Sequence, residues 1–476
     1  MNGTRPLWPL FAAAALVAGC FFGIEHLPDA STRPDYAPSE EDMLSNQSRG
    51  DLARRVCFLG IAAAGAAGVV LGRAGRWAGG GVYGLVVLAF FGWQFASVLW
   101  SDLPKISARR LVILGMYLLG AAGLAKALTG RQLVWAAILA VLGQLAVGVL
   151  AELALGTLRP WRGDYRFAGT IHPNMQALQL GVGIVAAVAL YARPAPGRGW
   201  GEWERVRFPL LVALAGTFTV VATLTKSRTS CAGILAAAAG VGVYAASGPV
   251  KLLLAAFTVG GAAAGLAVVL LTGADPTADA RRAALMGREG QSGTLSGRLE
   301  IWEALHPYAA ARPLGGYGYA AFWSEERLYA VQSEAGFKFA ASHSAWYEAT
   351  LTAGLPFALL LLALLLGGLV RALRVGRRPH GAGRDGSGGA NGAGGTGGPH
   401  DPLPAFAFGV LILAALNSLL EAIIADVRLT PFLMHAALLK MTFLPDRPAP
   451  APPFSAPPPP PPFRPPPGVG GPVRLG

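Results

Sequence analysis

The chain is short of charge and of cysteine. Only 14% of its 476 residues are charged, and it holds 3 cysteines. These cysteines, Cys20, Cys57 and Cys231, lie in or beside apolar runs and form no CxxC pair, so the sequence predicts neither a metal site nor a disulfide framework. It also lacks a Walker pattern, a DxD motif and a visible internal repeat. We therefore expect no cofactor and no metal-dependent use of a nucleotide sugar.

What the chain has in abundance is apolar sequence. It is 53% hydrophobic, and many of its apolar runs are about 17–25 residues long, which is typical of a polytopic membrane protein. Helices are the expected spanning element, because lipid cannot satisfy an open backbone. We predict an all-α fold with twelve spans, at residues 7–24, 56–72, 81–100, 111–126, 133–156, 173–192, 208–225, 230–246, 251–272, 345–370, 404–424 and 429–444.

The spans divide the chain into four parts. Residues 1–272 carry spans one to nine, and 273–343 form one large extracytoplasmic loop. Residues 344–445 carry spans ten to twelve, with a Gly-rich cytoplasmic linker at 376–402. Residues 446–476 are a Pro-rich tail, predicted to be disordered.

Basic residues fall mainly in the short connections between spans. With the N-terminus inside, the connections predicted to be cytoplasmic are rich in arginine, as the positive-inside rule requires. This explains the net charge of +13 without a nucleic-acid partner. The start, "MNGTRPLWPLFAAAALVAGC", resembles a lipoprotein cleavage box ending at Cys20, but a permanent first span with Arg5 inside is the preferred interpretation.

A few basic residues break this rule on the outer side. They are Lys226, Arg228, Arg109, Arg110, Arg159, Arg162 and Arg166. One explanation is the snorkelling of long cationic side chains to the membrane surface. The other is an anionic ligand on that side, which the tight pair Lys226 and Arg228 favours.

The large loop contains a second group of candidate residues. Leu299, Trp302 and Leu305 predict an amphipathic helix that begins near Arg298 and ends before Pro313. His343 directly precedes span ten. It is either an interfacial histidine or a general base, since an imidazole titrates near neutral pH.

These motifs together resemble the O-antigen ligase/polymerase superfamily of membrane glycosyltransferases. The resemblance rests on "SDLPKISARR", "FAGTIHPNMQA", "TKSRTS", "SGRLEIWEALHPYAAARPLGGYGYAAF" and "SHSAWYEATLTAGLP", in this order and on one side of the membrane. Ser344 stands where that family often has Asn, and Phe357 where a Gly often follows "GLP". The motifs cover roughly residues 80–370.

The resemblance implies a multi-pass enzyme of the bacterial inner membrane whose active site faces the periplasm. It implies transfer of a glycan from an undecaprenyl-pyrophosphate-linked donor to a hydroxyl of lipid A core, of another glycan or of a protein. Carried over, Arg228, Arg298 and His343 are the catalytic residues. Because Lys226 and Arg166 lie on the same side, we expect them to join the two arginines at the pyrophosphate. Arginine suits this role because its guanidinium pairs bidentately with phosphate.

Two further groups support this arrangement. His172 and Asn174 lie on the same side as Arg166, and we expect Asn174 to cap span six. Asn417 and Glu421, within span eleven, are expected to make structural hydrogen bonds. The competing function is a transporter or flippase for an anionic lipid or sugar, which predicts charged residues buried mid-span and paired helix breaks.

Overall fold

We describe the protein from a computed structural model. It describes residues 52–72, 77–192, 202–246, 297–339, 341–376, 401–422, 427–444 and 476. The predicted spans 7–24 and 251–272, Cys20, and nearly all of the Gly-rich linker and the Pro-rich tail lie outside the described residues.

The described residues form helices and no strands. The α-helices, in chain order, are α1 (Leu52–Leu71), α2 (Gly81–Ala96), α3 (Pro104–Ala127), α4 (Gly130–Ala154), α5 (Pro173–Ala192), α6 (Glu202–Leu224), α7 (Arg228–Ala245), α8 (Arg298–Ala311), α9 (Glu325–Ala335), α10 (Ala345–Gly376), α11 (Leu403–Ser418) and α12 (Leu429–Phe443). A 3₁₀-helix at Ser97–Trp100 continues α2.

Within these ranges, seven helices are long and apolar enough to cross a membrane: α1, α2 with its 3₁₀ extension, α3, α4, α5, α6 and α10. The apolar helices α11 and α12 are shorter. The predicted all-α polytopic fold is therefore confirmed, whereas the count of twelve spans stays a prediction.

Two predicted boundaries are wrong. Helix α3 begins at Pro104 rather than at 111, because proline is well suited to the first turn of a helix and the arginines at 109 and 110 are accommodated within the helix. Helix α11 ends at Ser418 rather than at 424. The carbonyl of Leu420 instead accepts a hydrogen bond from Arg298 Nε at 3.1 Å, so Glu421 lies on a turn and not in a span.

The loop helix α8 begins and ends as predicted, but its buried face is different. Ile301, Ala304 and Leu305 are buried, while Leu299 is 43% exposed. The predicted face is rotated because the helix packs against α9 and α10 on one side.

Helix α10 is broken in its N-terminal third. Ala353 and Gly354 have non-helical dihedrals, with φ of 81° at Gly354. The segment "RPLGGYG" replaces the lost helical hydrogen bonds: the N–H of Tyr317 donates to the carbonyl of Leu351 at 2.8 Å, and that of Gly318 to Thr352 at 2.9 Å. The break thus anchors the large loop to the transmembrane bundle.

Helix α12 is too short to reach the end of the bundle at which α3 begins. Helix α12 has 15 residues and α3 has 24, or about 22 Å against about 36 Å. Their inner ends are aligned, since Lys440 Nζ donates to the carbonyl of Ala125 at 3.1 Å. Arg428, directly before α12, therefore lies within the bundle, where its carbonyl accepts a hydrogen bond from the Tyr117 hydroxyl at 2.9 Å.

Candidate functional site

Five helices begin around one region at one end of the bundle: α5, α7, α8, α10 and α12. Each has a predicted site residue or an arginine at or just before its start: His172 before α5, Arg228 in α7, Arg298 in α8, His343 before α10 and Arg428 before α12. The N-terminus of a helix carries partial positive charge from its unpaired N–H groups. The region is therefore electrostatically suited to an anion.

Glu421 lies at the centre of this region and is 5% exposed. Its Oε1 accepts a hydrogen bond from Asn174 Nδ2 at 2.7 Å and forms an ion pair with Arg298 Nη2 at 2.9 Å. Its Oε2 lies 3.6 Å from His343 Nδ1. The structure thus brings Arg298, His343 and Asn174 together on one carboxylate, although they come from separate parts of the sequence.

His343 is held in an uncommon backbone conformation, with φ of 49°. Its neighbour Ser342 is fixed on both sides. The Ser342 carbonyl accepts a hydrogen bond from Trp302 Nε1 at 2.9 Å, and its hydroxyl donates to Glu348 Oε2 at 2.9 Å. A non-glycine residue at positive φ persists where the surroundings enforce it, which is frequent at functional sites.

Arg166 joins the region from the loop between α4 and α5. Its Nε donates to the carbonyl of Thr225 at 3.0 Å, and its Nη2 donates to Asn174 Oδ1 at 3.3 Å. Lys226 Nζ donates in turn to the carbonyl of Gly163 in the same loop. These bonds join the α6–α7 turn to the loop that carries Arg166.

A buried carboxylate fixes that loop. Glu152 Oε1 accepts hydrogen bonds from the N–H groups of Ala168 and Gly169, at 3.0 and 2.8 Å, and its Oε2 accepts one from the Tyr165 hydroxyl at 2.5 Å. Burial raises the pKa of the Tyr165 phenol, and the hydrogen bond to Glu152 and its charge raise it further. These hydrogen bonds give the loop a defined conformation, which fixes the backbone position of Arg166.

Arg228 is the first residue of α7, and the structure links its helical turn to the same region. The Ser230 hydroxyl lies 2.9 Å from Asn417 Oδ1 and 3.3 Å from the carbonyl of Asn174. Asn174 therefore connects the start of α7 to Glu421: its carbonyl accepts from Ser230, and its side-chain amide donates to the Glu421 carboxylate.

The prediction that Asn174 caps span six is wrong. The N–H of Asn174 is accepted by His172 Nδ1 at 3.3 Å, while the Asn174 side chain reaches Arg166 and Glu421. Burial lowers the pKa of the His172 imidazole, although part of the residue is exposed; Glu421 raises this pKa, and the cations Arg166 and Arg428 lower it. A neutral His172 is thus the form that provides the cap.

A second charged cluster joins the large loop to the bundle away from Glu421. Asp102 forms ion pairs with Arg312 Nη1 and, at 2.7 Å, with Arg327 Nη2. Both guanidinium carbons lie 4.6 Å from the centre of the Tyr317 ring. This cluster lies beside the break in α10 and holds the "RPLGGYG" segment in place.

Sequence reasoning missed the central place of Glu421 and the presence of Arg428. Hydropathy merged Glu421 into span eleven and so pointed to a structural hydrogen bond. The available signal was its charge: an acid in an apolar run, four residues after Asn417, on the side where the basic exceptions occur.

The fold and this region define an all-helical, multi-pass membrane protein with a polar site at one end of the bundle.

Comparisons with known proteins agree with the predicted family. Residues 210–363 match the family model described as O-Antigen ligase, and this range contains Lys226, Arg228, Arg298 and His343. The chain is also 26% identical over 320 residues to the exopolysaccharide production protein ExoQ of Rhizobium meliloti (strain 1021), covering 62% of this chain and 67% of that protein. Both matches support an O-antigen ligase-like family, so that prediction is confirmed.

Proposed function

We propose that this protein transfers a glycan from an undecaprenyl-pyrophosphate-linked donor to an acceptor hydroxyl at the periplasmic face of the bacterial inner membrane. The family match and the relative support a ligase- or polymerase-type function in polysaccharide production. The observation that carries the proposal is the meeting of Arg298, His343 and Glu421 where five helices begin.

The arginines act on the leaving group. As the bond between the sugar C1 and the phosphate oxygen breaks, negative charge grows on the pyrophosphate. Arg228 and Arg298, with Lys226 and Arg166 nearby, supply fixed positive charge, and the Arg298–Glu421 pair is largely buried. The helix N-termini at the same place add to this charge without any rearrangement.

His343 acts on the acceptor. Its imidazole takes the proton of the acceptor hydroxyl as the oxygen attacks C1 from the side opposite the pyrophosphate. The new C–O bond forms as the old one breaks, which inverts the anomeric configuration. The sugar–phosphate bond supplies the driving force, so the proposal requires neither ATP nor a metal.

In vitro transfer from a purified lipid-linked donor tests the proposal. We expect His343→Ala to remove activation of the acceptor and so to slow transfer about 10²–10⁴-fold, the range of a lost general base, while donor binding is largely kept. Arg228→Ala and Arg298→Ala are each expected to slow transfer about 10²–10³-fold, as for the loss of one oxyanion donor. Near-normal turnover in His343→Ala contradicts the proposed site, and lipid translocation without any transfer indicates a flippase instead.

A gene deletion separates the two forms of the reaction. A ligase joins finished chains to an acceptor, so its loss leaves lipid-linked polymer accumulating without long chains on lipid A. A polymerase joins repeat units, so its loss leaves products with a single repeat. The measurement is the length distribution of surface and lipid-linked glycans.

A further inference from the structure

Glu421 connects two residues that the proposed reaction uses for different tasks. Its two oxygens are divided between them: Oε1 bonds Arg298 Nη2 and Asn174 Nδ2, and Oε2 faces His343 Nδ1 at 3.6 Å. Two N–H donors on Oε1, one of them cationic, stabilise the charged form of the carboxylate. Oε2 therefore presents negative charge to one particular nitrogen of the His343 ring.

The position of the ring is fixed before Glu421 acts on it. Trp302 and Glu348 hold Ser342, and the backbone of His343 lies at φ 49°. The backbone thus decides where the imidazole lies, whereas nothing in these contacts decides which of its two nitrogens carries the proton. That choice depends on what faces each nitrogen.

We propose that Glu421 is a positioning residue that keeps the proton of neutral His343 on Nδ1 and so leaves Nε2 as the basic atom. This rests on the proposed function, in which His343 is the base. A lone pair on Nδ1 facing Oε2 is repelled by the carboxylate, whereas an N–H group there is attracted to it. Nε2 is then the nitrogen with a lone pair, and it is the atom that takes the acceptor's proton.

The same contact stabilises the next state of the reaction. When Nε2 accepts the hydroxyl proton, the ring becomes an imidazolium, and its positive charge is offset by Glu421, which stays ionised throughout. The electron pair left on the acceptor oxygen forms the bond to C1, and the pair of the broken C1–O bond leaves with the pyrophosphate. Glu421 therefore gains and loses no proton.

The substitution Glu421→Gln tests the idea sharply because of its geometry. With the amide oxygen still accepting from Arg298 and Asn174, the amide NH₂ takes the place of Oε2 and donates toward Nδ1. The glutamine then favours the opposite tautomer, with the proton on Nε2. We expect kcat to fall about 10²-fold or more, the range of a lost general base, and the donor Kd to change less than tenfold.

A double variant shows whether the effect acts through His343. We expect Glu421→Gln combined with His343→Ala to be no slower than His343→Ala alone, while Glu421→Asp recovers part of the rate. Glu303→Gln, on the exposed side of α8, is the matched control for removing a carboxylate and is expected to keep the wild-type rate. Losses that multiply in the double variant overturn the proposal.

A spectroscopic readout does not depend on activity. In protein labelled with ¹⁵N-histidine, the His343 signals are assigned by comparison with His343→Gln at a pH where the ring is neutral. We expect a protonated Nδ1 and an unprotonated Nε2 in the wild type, with the reverse in Glu421→Gln. The wrong tautomer in the wild type overturns the proposal. The expected tautomers without any transfer would leave the Glu421–His343 pairing intact and refute the proposed function instead.

Discussion

Two residues of the proposed site, Lys226 and His343, have backbone φ angles of 52° and 49°. Residues other than glycine rarely adopt this left-handed backbone conformation, because their Cβ atom comes too close to the neighbouring carbonyl oxygen. Each lies in a short turn directly before a helix that begins at the site. The tight turns fix where each side chain leaves the backbone: His343 faces Glu421, and Lys226 donates to the carbonyl of Gly163.

His172 makes the stability of the site depend on pH. Its pKa in the folded protein is lowered, below an ordinary value of about 6.5. The unfolded chain then binds the proton more readily, so the contribution of the neutral ring is present above about pH 6.5 and is lost as the pH falls toward the folded-state pKa. Protonation also removes the acceptor for the N–H of Asn174.

Thermal unfolding in detergent between pH 7.5 and pH 5 measures this effect. We expect the wild-type Tm to fall more steeply over this range than that of His172→Gln, which cannot titrate. Parallel Tm profiles for the two proteins would contradict the prediction.

At the scale of elements, the break in α10 is the feature that joins the large loop to the bundle. The carbonyls of Leu351 and Thr352 lose helical partners there and bind the N–H groups of Tyr317 and Gly318. In the other direction, the N–H of Leu355 donates to the carbonyl of Pro313 at 2.7 Å. Since α8 and His343 belong to the same loop, this joint helps to determine where Arg298 and His343 lie.

Gly354→Ala is expected to open this joint. At φ 81° and ψ 179° the backbone adopts a conformation that is essentially restricted to glycine, and an added Cβ would lie 2.3 Å from the carbonyl of Leu314. We expect a clear loss of Tm and of transfer activity. Gly336→Ala is the control: its φ of 80° and ψ of 7° lie in the milder left-handed helical region, and its Cβ meets nothing within 4 Å, so only a backbone cost of about 1–2 kcal/mol remains.

The two variants are compared by thermal unfolding and by limited proteolysis of the large loop. If Gly336→Ala destabilises the protein as much as Gly354→Ala does, the cost lies in φ alone. The close packing between the loop and α10 would then have no special role.

At the scale of the whole molecule, the connections fall at two opposite ends of the bundle. The proposed site and the loop at 155–172 lie at one end. The turn before α2 lies at the other, where the N–H of Ala78 donates to the carbonyl of Phe443 at 2.8 Å. The charge distribution predicts that the first end faces the periplasm and the second the cytoplasm.

Substituted cysteines test this orientation. In a background without Cys20, Cys57 and Cys231, we compare Gly163→Cys at the site end with Gly79→Cys at the opposite end. Both positions are open, since an added Cβ meets nothing within 4 Å. We expect an impermeant thiol reagent applied from outside to label only the cysteine at 163. Labelling only at 79 would reverse the topology and place the site on the wrong side of the membrane.

The sequence predicted the parts of this protein that depend on consecutive residues. Apolar runs place the helices, because burial in lipid depends on local hydropathy and helical hydrogen bonding stays within one segment. Helix α8 begins at Arg298 and ends before Pro313, as the local signals indicate. The motifs that surround Arg228, Arg298 and His343 also indicated an O-antigen ligase-like family, which the family match supports.

The sequence could not predict the contacts that depend on how far each helix extends along the bundle. Local hydropathy continued span eleven past Ser418, whereas in the structure Arg298, from a distant loop, bonds the carbonyl of Leu420 and the carboxylate of Glu421. That turn lies within the bundle because α11 and α12 are short and packed against longer neighbours. The sequence by itself determined where the long apolar helices lie along the chain and which charges stand out. Only the tertiary structure decided that Glu421 lies between Arg298 and His343, because this contact joins groups that are 78 or more positions apart.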